Sequence, residues 1–144
     1  MPHLVILYTP NLDAHTDMTA LCRALADTML EQRDEDGKPV FPPGGTRVLA
    51  YPAAHYAVSD GGDAGERAGL GRDYGFVYMN LRMGAGRSDA TKKRAGDAVL
   101  ARARGHFGSI FERMPLGLTV QIDECPGQVY DGKHSSLHPL FNKV

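Results

Sequence analysis

The chain has 144 residues and a mass of 15.6 kDa, enough for one domain of ordinary size and too little for two. With 42% hydrophobic residues, 23% charged residues and a mean hydropathy of -0.30, it has the composition of a chain that folds around a core rather than one that stays disordered. A net charge of -1 excludes a general field that would recruit nucleic acid, and the absence of any run of 18 apolar residues excludes a membrane helix. No basic segment followed by an apolar stretch opens the chain, so a cytoplasmic location is expected. Two cysteines, Cys22 and Cys125, are too few for a disulfide framework and lack paired zinc spacing.

Residues 3–9 form a nearly continuous apolar run that stops at Pro10-Asn11, which predicts a first strand. Met18, Leu21, Cys22, Leu25 and Met29 recur at three- and four-residue spacing and predict a helix over about 14–33, with Asp13 or Thr16 as its cap. Residues 34–45 hold three prolines and three glycines and read as a loop, followed by a second strand from Arg47 to Tyr51. Residues 59–73 are rich in Gly and Asp without apolar periodicity and read as a surface loop. From Tyr74 to Met83 the side chains alternate, with Val77, Met79, Leu81 and Met83 on one face and Phe76, Tyr78, Asn80 and Arg82 on the other. Gly84-Ala85-Gly86-Arg87 then turns the chain into a helix over about 89–111, capped by Ser88. Leu116, Leu118, Val120 and Ile122 mark a fourth strand, and the tail 125–144 is irregular.

The order is therefore two β-α-β halves, about 1–58 and 74–124, joined by the link 59–73 within one domain spanning 1–144. Right-handed crossovers place both helices on one face of a four-stranded sheet, an α/β (α+β) arrangement. The first strand is apolar on both sides, so its second face needs a cover, and a homo-oligomer is expected.

Three features could carry chemistry. Met1-Pro2 is a start from which the initiator methionine is normally removed, leaving a secondary amine. A terminal amine titrates at roughly 7.7–8.0 and is lowered by burial or nearby cations, which suits a general base. The alternative is that Pro2 simply begins an edge strand. Gly84-Ala85-Gly86-Arg87-Ser88, between a strand and a helix, offers free N–H groups and a guanidinium to an anion. As a dinucleotide fingerprint it fails, because Asp89 stands where the third glycine belongs; the alternative is a tight turn with a solvated Arg87. Arg47, after a Pro/Gly loop, is either a ligand or a surface ion pair. The six histidines show only one pair at metal spacing, His134 and His138, in a tail without helical pattern, so no metal site is expected. Cys125 has no evident histidine partner for nucleophilic catalysis.

Together and in this order, these segments resemble a known family. The start Pro2-His3-Leu4-Val5-Ile6, the segment Phe41-Pro42-Pro43-Gly44-Gly45-Thr46-Arg47, the strand Asp73 to Leu81 running into Gly84-Ala85-Gly86-Arg87-Ser88, and the tail Ser136-Leu137-His138-Pro139-Leu140-Phe141 are similar to the 5-carboxymethyl-2-hydroxymuconate isomerase family of the tautomerase superfamily. The resemblance implies a homotrimer whose sheets form a central barrel with the helices outside. It implies an isomerase of aromatic (homoprotocatechuate) catabolism that works without metal or organic cofactor. Pro2 would move a proton within a carboxylated dienol, while Arg47 and Arg87 bind the substrate's carboxylates and stabilise charge on its 2-oxygen. Two departures bear on substrate: Leu7 stands where typical members carry an acid, and the 59–73 link is long enough to reach over a pocket. Other readings remain open: the same superfamily with a different small carboxylated substrate, or a trimeric binding protein of this fold without catalysis.

Overall fold

Apolar side chains at every second position of the strands and every third or fourth position of the helices can be buried together only if the helices lie on one face of a sheet. The computed structural model, described for residues 2–142, has this architecture. Its elements are β1 (His3–Tyr8), α1 (Met18–Leu30), β2 (Arg47–Pro52), α2 (Asp63–Arg67), β3 (Gly75–Gly84), α3 (Asp89–His106), α4 (Gly108–Phe111) and β4 (Leu116–Cys125). The sheet order is β2-β1-β3-β4, with β1 parallel to β2, β3 parallel to β4, and the two halves joined antiparallel through β1 and β3. Leu4, Ile6 and Tyr8 of β1 and Val77, Met79, Leu81 and Met83 of β3 point into one core with Leu21, Leu25 and Met29 of α1 and Ala95, Val99 and Ala103 of α3. The partner faces of β2 and β4 contribute Val48, Ala50, Leu116, Leu118, Val120 and Ile122.

The opposite face of the sheet is open. Register places Leu7 beside Tyr51 and Val5 beside Leu49 there, and Leu7, Leu49 and Tyr51 are 46%, 44% and 50% exposed. The two-sided apolarity of β1 thus has a cover on one side only.

Several boundaries differ from the sequence reading for identifiable reasons. α1 begins at Met18 rather than near 14, because Pro10 to Ala14 form a 3-10 turn first. Its cap is Asp17, whose carboxylate accepts from Ala20 N at 3.1 Å. The expected caps are used elsewhere: Asp13 accepts from the Tyr8 hydroxyl at 2.9 Å, and Thr16 pairs with His106 at 2.7 Å. The second long helix breaks at Phe107, between the weak helix formers Gly105 and Gly108, and its buried ring still joins the core. Ser88 caps α3 as expected, accepting from Thr91 N at 3.1 Å.

Residues 59–73 form an organised lobe rather than a plain loop. Asp60 accepts from Gly62 N and Ala64 N at the start of α2, and Arg72 pairs with Asp63 and Glu66. The lobe hangs from the ends of β2 and β1, where Tyr8 pairs with Pro52 and Thr9 N donates to Phe76 O. Six residues of β1 separate that end from Pro2, a distance of about 20 Å at ~3.3 Å per residue. Within this chain, the lobe is therefore rooted away from the Pro2 end of the sheet.

Candidate active site

Strand direction decides which residues meet. β1 and β2 start, and β3 and β4 finish, at the same end of the sheet, since His3 is in register with both Arg47 and Arg82, and Gly84 with Cys125. The three residues singled out from sequence, Pro2, Arg47 and Arg87, all fall at this end. Pro2 is buried at the mouth of β1, and its carbonyl accepts from Arg47 N at 3.3 Å. Met1 lies outside the described residues.

Both arginines are half-buried and anchored on backbone carbonyls, and among the described residues neither has a carboxylate partner. Arg47 Nη1 donates to Gly44 O at 2.8 Å and Thr46 O at 3.1 Å, and among the described residues nothing accepts from its Nε–H and Nη2 edge. Arg87 is held the other way round. Its Nε and Nη2 donate to Val40 O at 3.1 and 2.7 Å and its Nη1 to Gly84 O at 3.1 Å, leaving the end of the guanidinium free. The Arg87 guanidinium carbon also sits 5.9 Å from the centre of the Phe41 ring. Guanidinium groups fixed by neutral carbonyls keep their charge and a pre-aimed pair of N–H donors, the arrangement that binds a carboxylate through two hydrogen bonds. The turn that delivers Arg87 requires a glycine at position 86, whose φ is +117°. Neither the solvated Arg87 nor the Arg47 surface ion pair considered from sequence is what the structure holds.

Register adds two residues that the sequence reading did not assign to the site. His3, Arg47 and Arg82 form a row across three neighbouring strands on the open face. Burial holds His3 below its ordinary pKa, and the Arg47 and Arg82 charges push in the same direction. A cleft of about 250 Å³ is lined by His3, Arg82, Gly84, Cys125 and Gln128. The alternation of β3 already put Arg82 opposite the core side chains, but only the pairing register reveals that it faces His3.

The fold is that of the tautomerase superfamily. A member of the cis-3-chloroacrylic acid dehalogenase family aligns with it over 94% of this chain and 82% of that one, with a TM-score of 0.60 at 13% identity, a likeness of fold alone. The chain belongs to the 5-carboxymethyl-2-hydroxymuconate isomerase family, which matches residues 2–141. It is similar to a 5-carboxymethyl-2-hydroxymuconate delta-isomerase of known crystal structure, at 56% identity and a TM-score of 0.94, covering 100% of this chain and 95% of that one. It also resembles a 5-carboxymethyl-2-hydroxymuconate isomerase from Deinococcus radiodurans R1, at 32% identity and a TM-score of 0.79, over 99% and 95% of the two chains. The 5-carboxymethyl-2-hydroxymuconate Delta-isomerase of Escherichia coli is 26% identical over 141 residues, covering 98% of this chain and 99% of that one.

Proposed function

We propose that this isomerase ketonises 5-carboxymethyl-2-hydroxymuconate, with the amine of Pro2 as the proton carrier and Arg47 and Arg87 as carboxylate ligands. The observation that carries the reading is the convergence at one end of the sheet of a chain-start proline and two guanidiniums with open donor edges, in a chain of this family. Removal of Met1 converts the Pro2 nitrogen from an amide into a secondary amine. The neutral amine takes the proton of the 2-hydroxyl; the O–H electrons form the C2 carbonyl and the C2–C3 double bond moves to C3–C4. The electrons of the old C4–C5 bond then take the proton back from the prolinium at C5, a 1,5 shift; return at C3 would be the 1,3 variant. Charge builds on the 2-oxygen as the proton leaves, and a guanidinium aimed there lowers the barrier because it needs no reorganisation. The same cations disfavour a protonated proline and so keep a fraction of it free as a base near neutral pH. No metal or organic cofactor takes part in this scheme.

A homotrimer fits the same reading. The open face carries Val5, Leu7, Leu49 and Tyr51, and β2 and β4 leave two sheet edges to be covered. No helix among the described residues is long and apolar enough to cross a membrane, in keeping with a cytoplasmic enzyme. The test is loss of dienol absorbance in the ultraviolet, using protein shown by intact mass to begin at Pro2. Pro2→Ala should reduce kcat by about 10²-fold or more. Wild-type protein that fails to exceed the spontaneous rate would reject this substrate.

A further inference from the structure

The tail folds back onto the site. The turn at Pro43–Gly45 packs against the turn at His138–Phe141, and the contact is close: a Cβ on buried Gly44 would come within 3.0 Å of His138 Cδ2 and 3.2 Å of its Cα. The carbonyl of the same Gly44 anchors Arg47. A cleft of about 440 Å³ beside this contact is lined by Arg47 and by residues 132–138, His138 among them.

The tautomer of His138 follows from its partner. Ser135 Oγ accepts from Leu137 N at 3.1 Å and from His138 N at 3.4 Å, which leaves its own proton for His138 Nδ1 at 3.0 Å. Nδ1 is then the acceptor, and neutral His138 carries its proton on Nε2. Among the described residues no group accepts from Nε2. The cleft is therefore lined both by Arg47, whose Nε–H and Nη2 have no partner among the described residues, and by an imidazole that is a donor in both its charge states.

We propose that Arg47 and His138 form a carboxylate subsite, closed by the tail, that takes the carboxymethyl arm of the substrate. The inference rests on the isomerase reading above. That substrate has three carboxylates, and the site sets three arginines, Arg47, Arg82 and Arg87, at the same end of the sheet. The 1-carboxylate and the 2-oxygen lie together in the plane of the dienol and suit a single guanidinium. The arm's carboxylate is carried on a saturated CH2 attached to C5, and rotation about that bond takes it out of the plane, where it needs a donor pair of its own. The tail cleft supplies one.

The experiment compares 5-carboxymethyl-2-hydroxymuconate with 2-hydroxymuconate, which lacks the arm, in wild type, His138→Leu and His138→Gln. In His138→Leu the ratio of kcat/KM for the first substrate to that for the second should fall about tenfold, and His138→Gln, which keeps an N–H donor, should restore it to within about threefold. In parallel, calorimetry measures binding of 2-(carboxymethyl)hexanedioate and hexanedioate, saturated analogues with and without the arm. The wild-type preference for the first should be lost in His138→Leu and kept in His138→Gln. A ratio unchanged in His138→Leu, or both substrates losing equally in both variants, overturns the subsite and leaves the tail a structural element. A binding preference that depends on His138 in a protein that turns over neither dienol keeps the subsite and rejects the isomerase reading instead.

Discussion

Replacing Arg87 by alanine separates the structural role of this side chain from the ligand role proposed for it. The carbonyl of Val40 accepts from Arg87 Nε and Nη2, and Val40 itself is only 4% exposed. Among the described residues no other group donates to this oxygen. Truncation leaves a buried acceptor without a partner, which costs about 1–3 kcal/mol, and removes the cation from the Phe41 ring, worth about 0.5–1 kcal/mol more. The expected loss is therefore about 1.5–4 kcal/mol, before any effect on substrate. Arg47→Ala removes the donor to the carbonyls of Gly44 and Thr46, three and one residues away in sequence, of which Gly44 is buried, and no aromatic contact among the described residues is lost with it. A loss of about 1–3 kcal/mol is expected there, from the orphaned Gly44 acceptor alone. Urea denaturation followed by circular dichroism, with the slope m checked for constancy, measures both. Arg87→Lys keeps the charge but cannot donate two parallel hydrogen bonds to one carbonyl, so it should recover less than half of the lost stability. An Arg87→Ala midpoint equal to that of wild type would refute the reasoning, and a loss of activity in that variant would then report binding alone.

Other outcomes follow from the rest of the molecule. Glu35 accepts from Ser88 Oγ and from Thr91 Oγ1 at the start of α3, and these bonds, the Ser88 bond foremost, hold its carboxyl down to about 2. A depressed carboxyl stabilises the fold above its unfolded pKa of about 4.3 and loses that contribution as pH falls toward 2, so Glu35→Gln should flatten the fall of the urea midpoint between pH 5 and pH 3, in roughly that window. An equally steep fall in the variant would show that other carboxylates govern acid unfolding. Arg72→Ala releases the carboxylates of Asp63 and Glu66 at the far end of β1, and should leave kcat/KM within about twofold of wild type while speeding proteolysis within 59–73. A large kinetic effect would place that lobe near an active site, of a neighbouring subunit if not its own. Light scattering should give about three times the 15.6 kDa chain mass, and Leu49→Asp on the open face should reduce it. A monomeric wild type would contradict the covered-face argument.

Much of the fold was legible in the sequence because burial imposes periodicity. The alternation of Val77, Met79, Leu81 and Met83 and the helical spacing of Met18, Leu21, Leu25 and Met29 are direct consequences of one buried face, and each of these side chains lies in the core. The cap of α3 was legible for a similar reason, since Ser88 acts on residues three positions away. The cap of α1 was not, because Asp13, Thr16 and Asp17 are all competent and the choice depended on Tyr8 and His106, which are distant partners. Pro2, Arg47 and Arg87 could be nominated from sequence as chemical types in a familiar order. Their meeting at one end of the sheet depends on the parallel pairing of β1 with β2 and the antiparallel pairing of β1 with β3. Composition and periodicity thus determined the elements, their inward faces and the candidate chemistry of this protein, because those are local properties of the chain. Only the tertiary structure decided which edge of each guanidinium has no partner among the described residues, that His3 and Arg82 stand in line with Arg47, that the 59–73 lobe is rooted away from Pro2, and that His138 closes onto Gly44. Each of these is a contact between residues far apart in the chain, set by strand register and close packing, to which no local pattern is sensitive.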